Sequence, residues 1–267
     1  MRGKYIWAII LVIVGLWLLL ENLNLLPGLT WDAFWAIVLI AAGLALILAN
    51  LGHRSTAAEV VEDNIPLGGA TAARVVVNHG AGRLIVRGGE APGYLAWGRF
   101  GGGLKKTAAL VSGSLLEAQL ELPAGGWLDK SFAWTGAGAL DWDVTFSSAV
   151  PLDLKLQTGA SEQYIDLAPL KCTRFELNTG ASSTTVTLPA TAGYTEGRIA
   201  AGAASIHIVV PAGVAVRAKT SVGLSSVNVD QTRFPPVKDG FESPGFATSP
   251  HRVELVLEGG LATYDLR

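Results

Sequence analysis

The feature that most constrains this chain is a short motif that returns at a nearly fixed interval. Leu154 to Ser161 reads Leu-Lys-Leu-Gln-Thr-Gly-Ala-Ser and Phe175 to Ser182 reads Phe-Glu-Leu-Asn-Thr-Gly-Ala-Ser, with weaker copies at Ala201 to Ser205 and Val222 to Ser226. The glycines Gly159, Gly180, Gly202 and Gly223 are 21, 22 and 21 residues apart, a period that marks a repeat architecture. The residues flanking each glycine alternate in polarity, so Phe175 and Leu177 face one way and Glu176 and Asn178 the other. Such an arm has one oily face and cannot bury it alone, whereas stacked copies share a continuous core.

The same alternation puts Leu152, Leu154, Leu156, Val186, Leu188, Ile206, Ile208, Val210, Val214, Val216 and Ala218 on the inner side, with Asp153, Lys155, Arg217 and Lys219 outside. The glycines are expected in turns with positive φ, the small Ala and Ser beside them allowing close stacking, so Gly180→Val is expected to be severely destabilising. Prolines at Leu188-Pro189, Val210-Pro211, Leu122-Pro123 and Val150-Pro151 end strands, because proline lacks the ladder donor. The expected fold class is mainly β, a stacked β-solenoid-like repeat domain over residues 67–267.

A membrane element precedes it. Half of the 267 residues are hydrophobic and the mean hydropathy is +0.39, with the apolar surplus at the N-terminal end. Residues 5–20 and 33–51 are apolar runs approaching the roughly 20 residues that a bilayer-spanning helix needs. A polar Pro27-Gly28 connection joins them, and Tyr5, Trp7, Trp17, Trp31, Phe34 and Trp35 lie where interfacial aromatics collect. This predicts a two-helix transmembrane hairpin over 1–52. A cleaved signal fits less well, since no small-residue cleavage site follows Leu20 and a second apolar span comes directly after. Gly15 and Gly43 are candidate helix-packing positions. Arg2, Lys4 and Arg54 flank the spans while the connecting loop has no Lys or Arg, so the positive-inside rule puts both ends, and the β-domain, in the cytoplasm.

Residues 53–66 read as a linker. Within the β-domain, the section 90–148 loses the period. Tyr94 to Arg99, Leu115 to Leu122 and Asp141 to Phe146 look like strands, and Trp97, Trp127, Trp134 and Trp142 are expected to cap the stack or, in the sharper reading, to form an aromatic ligand platform. The loop 231–252 carries four prolines among Phe234, Phe241 and Phe246. Those phenylalanines either fold back as a cap or form a partner-binding surface.

Motifs for catalysis are missing: there is no HExxH, GxSxG, Walker loop or strand-linked GxGxxG. Gly101 to Lys106 lacks the Gly-Lys-Ser/Thr of a phosphate cradle. His53, His79, His207 and His251 are scattered and expected at the surface, and Asp141 and Asp143 share a strand face that reads as solvated. No metal, cofactor or catalytic residue is expected. The single cysteine, Cys172, excludes an intramolecular disulfide, and a net charge of −2 gives nucleic acid no broad attraction.

The hairpin order, apolar span, Glu21-Asn-Leu-Asn-Leu-Leu-Pro27, Trp31 to Trp35, second apolar span, resembles the membrane segment of LiaF/LiaI-like bacterial envelope-stress proteins. The Gly-Ala-Ser repeats and Val210-Pro-Ala-Gly-Val214 resemble the LiaF-like toast-rack domains that follow such segments. The resemblance implies a non-enzymatic, membrane-anchored regulatory or sensory module working by contact with a membrane protein such as a sensor kinase. The competing expectations are a self-associating or adhesin-like scaffold, which would make a homo-oligomer, and a polysaccharide-processing β-helix enzyme, which the Ser, Thr and Ala of the repeats do not favour.

Overall fold

The computed structural model describes residues 60–90, 92–123 and 140–267. They form one 15-stranded mixed sheet, and the fold is mainly β. Its spine is three long strands, β7 (Leu152–Asp166), β8 (Cys172–Thr187) and β9 (Tyr194–Val209), with β2 (Ala72–Gly89) before them. All four run parallel, and the register is continuous except for a shift between Leu152 and Asp153 where β7 meets β8.

Each long strand has two arms with a corner between them. In β8 the buried positions are Phe175, Leu177 and Thr179, then Thr184 and Val186; in β9 they are Gly197, Ile199 and Ala201, then Ile206 and Ile208. The inward residues therefore switch from odd to even numbers across the glycine. A strand keeps one parity per face as long as its pleat is unbroken, so a switch repeated at the same place in each rung marks where the strand folds to keep both arms on one core. That core is a single cluster running from Ile65 to Leu266, and every inner residue named from the alternation is buried in it.

The strands continue through the glycines, which corrects the expectation of turns with positive φ: Gly159, Gly180 and Gly202 are not in the left-handed region. Their need for glycine is steric. A Cβ on Gly159 would lie 2.3 Å from the Gly80 carbonyl oxygen, and Cβ atoms on Gly180 and Gly202 would lie 3.0 Å from the carbonyl oxygens of Gly159 and Gly180. Beside this glycine column, Ala81, Ala160, Ala181 and Ala203 are in register at the corner.

The rungs do not follow chain order. After β9 the chain makes β10 (Val214–Val222) and β11 (Ser226–Val229), yet β14 (His251–Gly259) and β15 (Thr263–Leu266) pair directly with the two arms of β9, while β10 and β11 pair outside them. The repeat glycine Gly223 accordingly donates its N–H to Gly259, and Leu261 donates to Gly202. The last sequence repeat is separated from its predecessor by a later segment.

Both ends have other coverings. On the β2 side, β5 (Leu115–Glu121) extends the first arm in parallel and carries the antiparallel strand β4 (Lys105–Val111); β6 (Trp142–Ser147) extends the second arm and carries β3 (Tyr94–Gly101), which pairs with β1 (Val60–Pro66). Residues 60–66, read as linker, are thus a strand, and only Ile65 of that strand is fully buried. At the far end, β13 (Gly240–Glu242) and β12 (Pro236–Val237) add antiparallel pieces to β10 alone. Gly15, Gly43, Trp127, Trp134, His53 and the apolar spans lie outside the described residues.

Candidate interaction surfaces

The outer faces are built from register. On the first arm, Glu117, Arg74, Asp153, Arg174 and Glu196 occupy one column of neighbouring strands and alternate in sign. Arg74 bonds both Glu117 (2.8 Å) and Asp153 (3.2 Å), and Arg174 bonds Glu196 (2.6 Å). In the next column Glu176 is shared by Lys155 (3.2 Å) and Arg198 (3.5 Å), and Arg198 reaches on to Glu258 (2.6 Å). Hydrogen bonding from Asn178, reinforced by Lys155 and Arg198, holds the Glu176 carboxyl below its ordinary range; the bond from Arg198 does the same for Glu258. Pairs as exposed as these add little to stability, because water and salt screen them. Their signs are complementary between neighbouring strands in the observed register.

A shallow groove of about 420 Å³ crosses the corner of β7, β8, β9 and β14, lined by Gln157, Asn178, Thr179, Gly202 and Glu258. Its carboxylate, Glu258, is already bound to Arg198 and shifted downward, the opposite of what a general acid needs. Asp141 and Asp143 are likewise engaged: Asp141 accepts the Arg83 N–H at 2.8 Å, and Asp143 accepts from Arg87 at 2.7 Å. Lys105 and Lys106 of the glycine-rich segment pair with Glu121 and Asp63. The second arm of β8 shows Ser183, Thr185 and Thr187 to solvent, in register with Ser205, His207 and Val209 of β9.

Two groups depart from their expected setting. His79 is 1% exposed, its Nε2 2.8 Å from the Leu140 carbonyl and its ring 5.3 Å from that of Trp142. Burial lowers its pKa, against a smaller upward pull from the Leu140 bond and Asp141. It is a core residue, which corrects the surface reading. Cys172 is also buried, and burial pushes its thiol up to about 12, far from a reactive thiolate. Among the described residues no cluster of three His, Cys, Asp or Glu could hold a metal ion.

The aromatics divide. Trp142 is buried, donates Nε1–H to the Gly101 carbonyl at 3.1 Å and meets Phe100 edge-on at 5.1 Å, so it closes the β2 end as a cap would. In the long loop, Phe234 and Phe246 are 1% and 4% exposed and Phe241 is half-buried against the core. The expected contact surface is thereby corrected for two of the three rings, which are turned inward. The Arg217 guanidinium lies over the Phe246 ring at 4.3 Å and bonds Glu242 at 2.6 Å. Ser243 fastens the loop to Val216 by exchanging two 2.8 Å bonds. β11 follows the last copy of the sequence repeat at Val222 to Ser226, and what the sequence did not signal is that one side of it is open among the described residues.

The N-terminal domain of toast_rack matches residues 54–209, and the LiaI-LiaF-like transmembrane region matches residues 5–47. The chain belongs to the toast_rack family. It is a LiaF-like membrane protein, with its membrane region ahead of its β-domain. A crystal structure of a proposed cell adhesion protein from Clostridium sporogenes has the same fold at a TM-score of 0.67 and 16% identity, over 78% of this chain and 98% of that one. No curated protein matches the chain.

Proposed function

We propose that the chain is a non-enzymatic regulatory or sensory module of the bacterial cell envelope, anchored by a two-span hairpin and acting through protein contact on a membrane partner such as a sensor kinase. The observation that carries this reading is the order of a LiaI-LiaF-like membrane region at 5–47 and a toast_rack domain from residue 54 in one polypeptide. A β-body in which Asp153, Glu176 and Glu258 are held in cross-strand pairs and the thiol is buried supports contact rather than catalysis. With Arg2, Lys4 and Arg54 flanking the spans, the β-domain faces the cytoplasm in this reading.

A second reading, an adhesin-like scaffold, draws on the fold shared with the Clostridium sporogenes protein. Adhesion needs the β-domain outside the cell, so one experiment separates the two. Alkaline phosphatase fused after Arg267 is expected to be inactive and a fluorescent protein at the same point bright. Membrane crosslinking of the full-length chain is then expected to recover a kinase. An active phosphatase fusion would overturn the regulatory reading and favour the scaffold.

A further inference from the structure

We propose that β11 is the pairing edge for a second copy of this chain, two molecules joining antiparallel about a two-fold axis through Asn228. The proposal does not depend on the regulatory reading, because it requires only the membrane anchor and the edge.

Among the described residues β11 pairs on one side alone, with β15. Ser226 and Asp230 donate their N–H groups to Ala262 and Leu266. Residues 226, 228 and 230 therefore face β15, and Val227 and Val229 turn both their N–H and C=O groups to the open side. The same two residues are half-buried towards the core, while Ser226 and Asn228 are exposed on the outer face.

Pairing in which Asn228 faces Asn228 of the second copy keeps the parity an antiparallel pair needs and places both valines at hydrogen-bonded positions. Hydrogen-bonded positions then fall on Val227 opposite Val229 of the second copy and the reverse, the residues whose backbone groups are free. Inner side chains also meet inner ones, joining valine to valine across the seam. Ser226 opposes Asp230 of the second copy, so no like charges face one another.

The other open edges are guarded. β4 begins with Lys105 and Lys106, β1 contains Glu62 and Asp63, and β12 contains Pro236, each a known device against strand pairing. β11, Ser-Val-Asn-Val, carries neither a charge nor a proline, and its shortness is its one safeguard. At its mouth Leu224 is 86% exposed and Leu261 is 64% exposed, apolar surface that a second copy would cover. Two four-residue strands bury less than the roughly 1,200 Å² of a stable interface. Confinement to a membrane raises the effective concentration enough for so small a seam to form.

The test uses the full-length protein in its native membrane. Asn228→Cys places two sulfurs at a non-hydrogen-bonded pair with Cα atoms about 4.5 Å apart, within disulfide reach, whereas two Ser226→Cys residues would be roughly 13 Å apart. Buried Cys172 does not compete. Mild copper oxidation is expected to give covalent dimer from Asn228→Cys and at least tenfold less from Ser226→Cys. Adding Val227→Pro, which removes a donor that the molecule's own sheet does not use, is expected to abolish that dimer while limited proteolysis shows an intact β-domain. Equal dimer from the two cysteine variants would overturn the proposal. So would a dimer that persists in the folded Val227→Pro variant.

Discussion

At the scale of the residue, His79 has the most to say about conditions. Its neutral ring fills the space beside Trp142, and Nδ1 meets no partner among the described residues. Because burial lowers its folded-state pKa from 6.5, the unfolded chain takes up the proton first as pH falls. The contribution of His79 is thus fully present above pH 6.5 and is lost as pH falls below that towards the lowered folded value. Melting of the wild type should drop more between pH 7.5 and 5.5 than that of His79→Gln, and parallel drops would refute this. Gly159 is the sharper steric point. Gly159→Ala puts a methyl 2.3 Å from backbone at Gly80, which side-chain motion cannot relieve, and is expected to destabilise by about 1–3 kcal/mol. Thermal melts should rank it as more damaging than Gly180→Ala, where the approach is 3.0 Å.

At the scale of the element, the long strands were legible and the edges were not. Alternation in Leu152 to Leu156 and Phe175 to Leu177 identified inward faces because each arm has water on one side and core on the other. β4 left no such signal, since all seven of its residues are exposed. β1 was hidden by Glu62, Asp63 and Asn64, the polar residues that make an edge strand resemble a linker. His79 was misplaced because Asn78-His79-Gly80 has turn chemistry, yet β2 continues through it as a strand with a corner. The loop around β12 and β13 is an element of the same kind: its prolines announced irregularity, and only packing decided that Phe234 and Phe246 face inward. Phe234→Ser is therefore expected to destabilise the β-domain by about 3–5 kcal/mol. A denaturant midpoint unchanged from wild type would show the ring to be dispensable to the fold and would return it to the list of contact residues.

At the scale of the molecule, the repeat period gave the spacing of the glycines from Gly159 to Gly223 but could not give their order in space. Nothing in the residues 214–229 distinguishes a strand that follows β9 directly from one held a rung away, since Arg217 would oppose Glu196 in the first case as it bonds Glu242 in the second. The decision rests on β14 and β15, whose residues pair with β9 on one side and with β10 and β11 on the other. The candidate surfaces were less legible: the sequence offers no catalytic motif to place, and the open side of β11 depends on which strand ends the second arm.

That inserted rung also governs the timing of assembly. During synthesis β9 emerges with β8 already available on one side and its other side open, and β10 and β11 follow before residues 251–266, which pair with all three, have been made. A nascent chain in that interval has two unfilled parallel edges with the chemistry to accept each other in the wrong order. Arrival of β14 and β15 beside β9 either completes the sheet or finds that place already taken by β10 and β11.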